Sequence, residues 1–243
     1  MSQTCKALHE KLETLPLVRW PFDVSALPRN GIYFLYEIGE TWGHGGSRPR
    51  IVRIGTHKDG NFRSRVSEHF LVDEKKMDFD ATKSPPHDRS IFRKNIGRAL
   101  LNRANDPYLA VWEKDFTTRA SREAGFKLRD IEKERSVEAE VTRILRENFS
   151  FRFIVVDNQT QRMGTDGLEA SLIGTVAGCN ECRVSPTWLG LSSPVQKIRE
   201  SGMWLVQHAG APPMNDADER LFTDALASTR IQFGPPALVH ETA

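Results

Sequence analysis

The chain has 243 residues, of which 39% are apolar and 27% charged, with a formal net charge of +2. This is the balance of an ordinary globular protein, with no low-complexity segment and no internal repeat. No apolar run approaches a membrane span, no signal-peptide core stands at the start, and three cysteines make no disulfide framework, so a cytoplasmic, reducing setting without membrane partners is expected.

Residues 1–30 read as a lead-in. A short helix is expected over residues 7–15, with Leu8, Leu12 and Leu15 on one side. Pro16, Pro21 and Pro28 then interrupt regular structure, and Leu17, Trp20 and Phe22 are expected to pack on a sheet. Residues 31–38 form a clear strand, since Ile32, Tyr33, Phe34, Leu35, Tyr36 and Ile38 are β-branched, aromatic or aliphatic. Residues 50–55 have the same character. Gly39, Gly43, Gly45, Gly46, Ser47 and Pro49 between them supply turn chemistry, so the two strands predict a hairpin with a long loop. The run Gly43-His44-Gly45-Gly46 has no following Lys-Ser/Thr and is not a nucleotide-binding loop.

From Asn61 the period changes. Phe62, Val66 and Phe70 recur four apart and share a helix face, and Arg65 and His69 share an adjoining one. Residues 72–86 read as a loop. Residues 90–103 predict a helix with Phe92, Ile96, Ala99 and Leu100 on its apolar side. Arg89, Arg93, Lys94, Arg98 and Arg103 fall in or beside it, and residues 89–103 contain no acid. Such a cluster is either a solvated helix face or a phosphate-binding one. Residues 106–127 mix charges of both signs and carry no assigned role. Residues 131–149 predict a strong amphipathic helix, 151–157 a strand, 158–167 a turn, and the stretch from Leu168 a helix bearing Glu169.

Beyond Ala177 the chain is punctuated by Gly and Pro. The apolar islands at 188–190 and 203–206 are expected to cover the sheet or the back of the core. Residues 216–227 predict a capped helix, and residues from Gly234 are expected to be loose. Cys179-x-x-Cys182 is half of a zinc-ligand set. With Cys5 the only other cysteine and no histidine pair near it in sequence, zinc is not expected.

The ordered set of hairpin, Arg/His helix, strand and Glu helix resembles the GIY-YIG nuclease family. Gly31-Ile32-Tyr33 stands as the first half-motif. Arg53-Ile54-Gly55 stands as the second, with Arg in place of its tyrosine. Arg65 and His69 match the Arg-x-x-x-His helix of restriction-enzyme members. Leu168-Glu169-Ala170-Ser171-Leu172-Ile173 resembles the helix of the metal-binding glutamate, and Asn180 lies close to where the family carries an asparagine.

The resemblance implies an α/β fold: a small, mainly antiparallel three-stranded sheet flanked by helices. It would be one domain over residues 1–243. The core would span about 29–70 and 150–181, with a helical insertion at 71–149 and a C-terminal extension at 182–243. It also implies metal-dependent cleavage of DNA, in a restriction or defence setting. Tyr33 would be the general base, which asks for nearby positive charge. Arg65 would contact the scissile phosphate, and His69 would assist proton transfer or hold the tyrosine. Glu169 would bind one Mg2+ (or Mn2+) ion. Arg53, His57, Lys58 and Asn180 would support the site, and Arg89, Arg93, Lys94 and Arg98 would contact the nucleic acid. Double-strand cleavage by a one-site subunit asks for a homodimer.

Each residue also has a plainer reading. Tyr33 would be a half-buried strand aromatic, Arg65 and His69 a solvated helix face, and Glu169 the closing member of a capping box with Asp166. The alternative function is a non-catalytic nucleic-acid-binding protein on a degenerate core, which the Arg53 replacement favours. A third, a structural or interaction protein, would be supported if the basic face at 89–103 were buried against the chain's own acidic helices.

Overall fold

The structure is a computed structural model that describes residues 2–234; the stretch expected to be loose from Gly234 lies almost entirely outside them. The lead-in forms a helix, α1 (Ser2–Leu12), and a two-residue strand, β1 (Val18–Arg19). The hairpin is β2 (Ile32–Thr41) and β3 (Pro49–Gly55), followed by α2 (Phe62–Phe70). Two longer helices, α3 (Ile91–Arg103) and α4 (Ile131–Asn148), lead to the strand β4 (Phe149–Ile154). Then come α5 (Leu168–Ala177), which carries Glu169, and α6 (Asp216–Phe233).

The strands make one antiparallel sheet in the order β1-β4-β2-β3. It has four strands where three were expected. The fourth, β1, pairs only Val18 and Arg19 with Phe151 and Ser150. Two residues between Pro16 and Pro21 give no readable alternation, so no sequence pattern announces it.

The central strand β2 is buried on both faces. Ile32, Phe34 and Tyr36 point into one core, with α1, α5 and α6. Tyr33 and Leu35 point into a second, with α2, α3 and α4. A strand covered on both sides reads as a continuous apolar run, as residues 32–36 do. At the outer edge of β3, Trp204 N–H donates to Val52 O at 2.7 Å. The 203–206 island therefore covers an otherwise open strand edge. Trp188 and Trp204 both donate their indole N–H to Glu37 Oε2, at 2.9 and 2.8 Å. Burial lifts the Glu37 carboxyl to about 7 despite those bonds. Among the described residues, no helix is long and apolar enough to cross a membrane.

The basic cluster at 89–103 departs from the phosphate-binding expectation. Arg93 is fully buried. Its Nε and Nη2 donate to Glu138 Oε2 of α4 at 3.0 and 2.5 Å, and Nη1 donates to the His69 carbonyl at 3.1 Å. Lys94 Nζ is buried on Asp88 Oδ1 (3.1 Å) and the Lys114 carbonyl (2.6 Å). Arg98 pairs with Glu113 at 2.6 Å. Arg89 stays exposed, 3.7 Å from Glu68. The run held no acids because its partners come from outside it: Asp88 one residue before, Glu113 beyond the helix, and Glu138 on α4. Arg93 and Lys94 are thus buried ion-pair partners, Arg98 is paired at the surface, and Arg103 stays exposed.

Glu138 also accepts the His87 N–H (2.6 Å) and bonds His87 Nδ1 (2.9 Å) through Oε1. Burial alone would raise its pKa, but Arg93 and His87 hold it down to about 2. Replacing it strands a buried guanidinium, so Glu138→Ala is expected to cost about 3–5 kcal/mol in urea unfolding. A loss below about 1 kcal/mol would mean that the pair does not organise this region.

Candidate active site

The C-terminal end of β3 gathers the candidate residues. Three consecutive positions, Gly55, Thr56 and His57, each touch a different one. Gly55 lies opposite Tyr33 in the β2–β3 register, and a Cβ placed on it would stand 2.2 Å from the phenol oxygen. The Thr56 N–H donates to Glu169 Oε1 at 3.0 Å, while its hydroxyl donates to Gly31 O at 2.7 Å. His57 Nε2 accepts from Arg65 Nη2 at 3.3 Å. Burial, then the charge of Arg65, lowers the pKa of His57, consistent with a neutral, accepting ring.

Tyr33 and His69 form a buried pair, the phenol oxygen 2.9 Å from His69 Nε2. His69 Nδ1 lies 2.7 Å from Ser90 Oγ, the residue that caps α3 by accepting the Arg93 N–H. Burial first, and then Arg53, Arg65, Arg93 and His57, hold the His69 pKa well below its ordinary value. A neutral imidazole donates through one nitrogen and accepts through the other. Tyr33, His69 and Ser90 therefore make a three-membered hydrogen-bonded chain able to move a proton. Arg65 sits one turn earlier on α2, partly exposed, with Nη1 on the Arg89 carbonyl (2.8 Å) and on Glu68 (3.1 Å).

Glu169 stands in the first turn of α5. The capping box with Asp166 is not formed, because Gly167 is the N-cap and no side chain caps the helix. The carboxylate instead faces a cleft of about 370 Å³ at the β3 edge, lined by Arg53, Ile91, Asn95, Ile173 and the 205–208 segment. Burial raises its pKa, opposed by the Thr56 amide and by Arg53 and Arg162. Oε2 has no hydrogen-bond partner among the described residues. One carboxylate with a free oxygen, beside an open cleft, suits a single hard divalent ion that keeps its waters and takes substrate oxygens. Arg53 enters the same cleft. Its guanidinium lies 5.0 Å from the centre of the Phe92 ring, and Nη1 donates to the Trp204 carbonyl.

Lys58 is exposed on the loop after His57. Asn180 does not join the group: it is exposed three residues past the end of α5, whose last residue lies about 12 Å along the helix from Glu169. Sequence reasoning missed Thr56, Ser90 and Arg162. Arg162 is fully buried and braces the loop, bonding Asp59 Oδ1 (2.6 Å) and the His57 carbonyl (3.1 Å). It sits in a stretch read as a turn, where no local pattern marks a buried arginine. A larger hollow of about 870 Å³, lined by Trp20, Met77, Arg143, Arg146 and Glu147 among others, holds none of the candidate residues.

A family model described as a GIY-YIG domain matches residues 6–230. Comparison with curated proteins and with solved structures gave no match.

Gly55→Ala would drive the phenol off His69, and is expected to destabilise the protein by about 1–3 kcal/mol. Equal stability to the wild type in urea would overturn that packing. His69 binds a proton more readily in the unfolded chain than in the folded one. Its contribution to stability is therefore complete above pH 6.5 and declines on acidification below it, by up to about 1.4 kcal/mol per pH unit. Urea midpoints of the wild type should fall more steeply below that pH than those of His69→Gln. Parallel slopes would refute the burial argument.

Proposed function

The chain belongs to the GIY-YIG family, and on that premise we propose that it is a metal-dependent endonuclease that hydrolyses phosphodiester bonds in DNA. The observation that carries this reading is the end of β3. Gly55 abuts Tyr33, and Thr56 and His57 hydrogen-bond Glu169 and Arg65, although these three partners lie up to 136 positions apart. A single strand terminus thus contacts a phenol, a carboxylate and a guanidinium.

Hydrolysis needs an activated water, stabilisation of charge on the phosphoryl oxygens and a neutralised leaving oxygen. In this reading Tyr33 Oη takes the proton of the attacking water as its own phenolic proton passes to His69 Nε2 along the 2.9 Å bond, which also orients the phenol. Ser90 keeps the imidazole in place from the other side. Arg65, the exposed member, meets the scissile phosphate through a planar fork suited to phosphate oxygens. Arg53, where the family pattern has its second tyrosine, supplies a second positive charge beside Glu169. Glu169 would hold the divalent ion, whose chemistry is to polarise a phosphoryl oxygen and neutralise developing charge. With Arg93 and Lys94 buried, the DNA-facing charge would come from exposed or partly exposed groups near the site such as Lys58, Arg65 and Arg89. A restriction or defence setting rests on the Arg65/His69 helix alone.

A second reading, a DNA-binding module without cleavage, draws on one observation: the Tyr33 side chain is only 2% exposed. Plasmid DNA separates the two. Wild-type protein with Mg2+ or Mn2+ is expected to nick or linearise it, with Glu169→Ala and Tyr33→Phe each slower by about 100-fold or more. Salt-sensitive binding with no cleavage under either metal would transfer the assignment to the binding module.

A further inference from the structure

Away from the cleft, three stretches distant in sequence bring five soft donors together. Cys5 and His9 stand one turn apart on α1. His44 lies in the β2–β3 loop, and Cys179 and Cys182 in the loop after α5. The donor atoms of Cys5, His9, His44 and Cys182 all lie within 4.8 Å of one another. Cys179 Sγ is 3.4 Å from His44 Nε2. All three thiols are free and buried, and the His44 side chain is 2% exposed.

The separations are those of a coordination shell. Cys5 Sγ and Cys182 Sγ are 3.8 Å apart, and Cys179 Sγ is 3.4 Å from His44 Nε2. Around a tetrahedral zinc ion with Zn–S near 2.3 Å and Zn–N near 2.0–2.1 Å, neighbouring sulfurs stand about 3.8 Å apart, and sulfur and nitrogen about 3.5 Å. A disulfide would need about 2.05 Å.

Five donors compete for four positions, and the histidines differ. His9 Nε2 accepts the Ile51 N–H at 3.2 Å, and its Nδ1 lies 2.9 Å from the Cys5 carbonyl. An amide only donates, so Nε2 must accept and Nδ1 must carry the proton. Binding a metal through Nδ1 would turn a ring N–H against the Ile51 N–H. His44 has no such conflict. Its Nδ1 meets Glu181 Oε2 at 3.0 Å, which leaves Nε2 facing the sulfurs. A carboxylate behind a metal-binding imidazole fixes ring orientation and tautomer. Cys179 enters through its 3.4 Å contact with His44 Nε2, on the loop that also carries Cys182.

We propose that Cys5, His44, Cys179 and Cys182 form a closed tetrahedral Zn2+ site, oriented by Glu181, with His9 packed beside it as a non-ligand. Four protein ligands in a buried setting leave no open position, which marks the site as structural. It fastens α1 and the β2–β3 loop to the end of α5, at a point where the loop approaches so closely that a Cβ on Gly43 would stand 1.4 Å from the Glu181 carbonyl oxygen. The expectation of no zinc arose because the half-motif at Cys179 and Cys182 has its completing ligands on α1 and in the hairpin loop, more than a hundred residues away.

The test is metal analysis of the full chain purified without chelator, independent of any nuclease activity. One equivalent of zinc is expected. After exchange, Co2+ should give the intense visible bands and sulfur charge-transfer absorption of a tetrahedral thiolate-rich site. Cys179→Ser and His44→Gln should lose the metal, His9→Gln should keep one equivalent, and Glu181→Gln should weaken retention against a chelator by about 10–100-fold. Metal-free protein that takes up no Co2+, or a Cys5–Cys182 disulfide in mass spectrometry, would overturn the site. Retention in Cys179→Ser with loss in His9→Gln would overturn the ligand set.

Discussion

A carboxylate with no exposed surface, Glu138, fixes the geometry on which the site depends. It pairs with Arg93 across the interface of α3 and α4. The same guanidinium donates to the carbonyl of His69, on α2. One residue before α3 begins, Ser90 caps it and meets the His69 ring. The backbone and the ring of His69 are thus both held by the start of α3, which is itself anchored by a charge on α4. A buried ion pair is a weak source of net stability, since desolvation of both charges offsets most of their attraction. Its consequence here is positional: breaking it would free the imidazole that holds Tyr33.

The same region explains why an edge strand is suited to the proposed chemistry. β3 lies at the border of the sheet, so residues leaving its end can reach both layers. Tyr33 belongs to the layer of α2 and α3, and Glu169 to the helix that packs the opposite layer. Both meet the end of β3, Tyr33 at Gly55 and Glu169 at the Thr56 amide, and a side chain at Gly55 would occupy the space of the phenol. Further back along the edge, Arg53 reaches around to the cleft, and the Trp204 segment closes the remaining backbone.

The hairpin, the Arg65/His69 helix and the Glu169 helix were legible because each is written in local periodicity. The strand β1 was not, since two residues carry no period. The basic run at 89–103 was legible as charge and misleading as surface. Counting acids inside a window says nothing of Asp88 just outside it or of Glu138 on a neighbouring helix. The half-motif of Cys179 and Cys182 told only part of its surroundings, because local spacing hides the Cys5, His9 and His44 donors that α1 and the hairpin loop bring beside it. Asp166 and Glu169 matched a capping box by spacing, yet the helix starts one residue too late for Asp166 to cap it. Each misreading has one cause: a local pattern was asked to report a tertiary partner.

Glu169 shows how the two ends of one helix divide the work. At the start of α5 the carboxylate sits in the first turn, where exposed N–H groups and the helix dipole favour negative charge. The Thr56 amide adds a direct bond, and Arg53 and Arg162 add positive field. Burial works against all three and raises the pKa on balance. Such a group is held in place but left short of positive charge, a condition that a divalent ion relieves. At the far end, the proposed zinc site fastens α5 to α1 and to the hairpin loop. That loop joins β2 to β3, whose terminus contacts Glu169 again through Thr56. Helix, loop and strand then form a closed circuit, so the carboxylate is positioned from both directions along the chain.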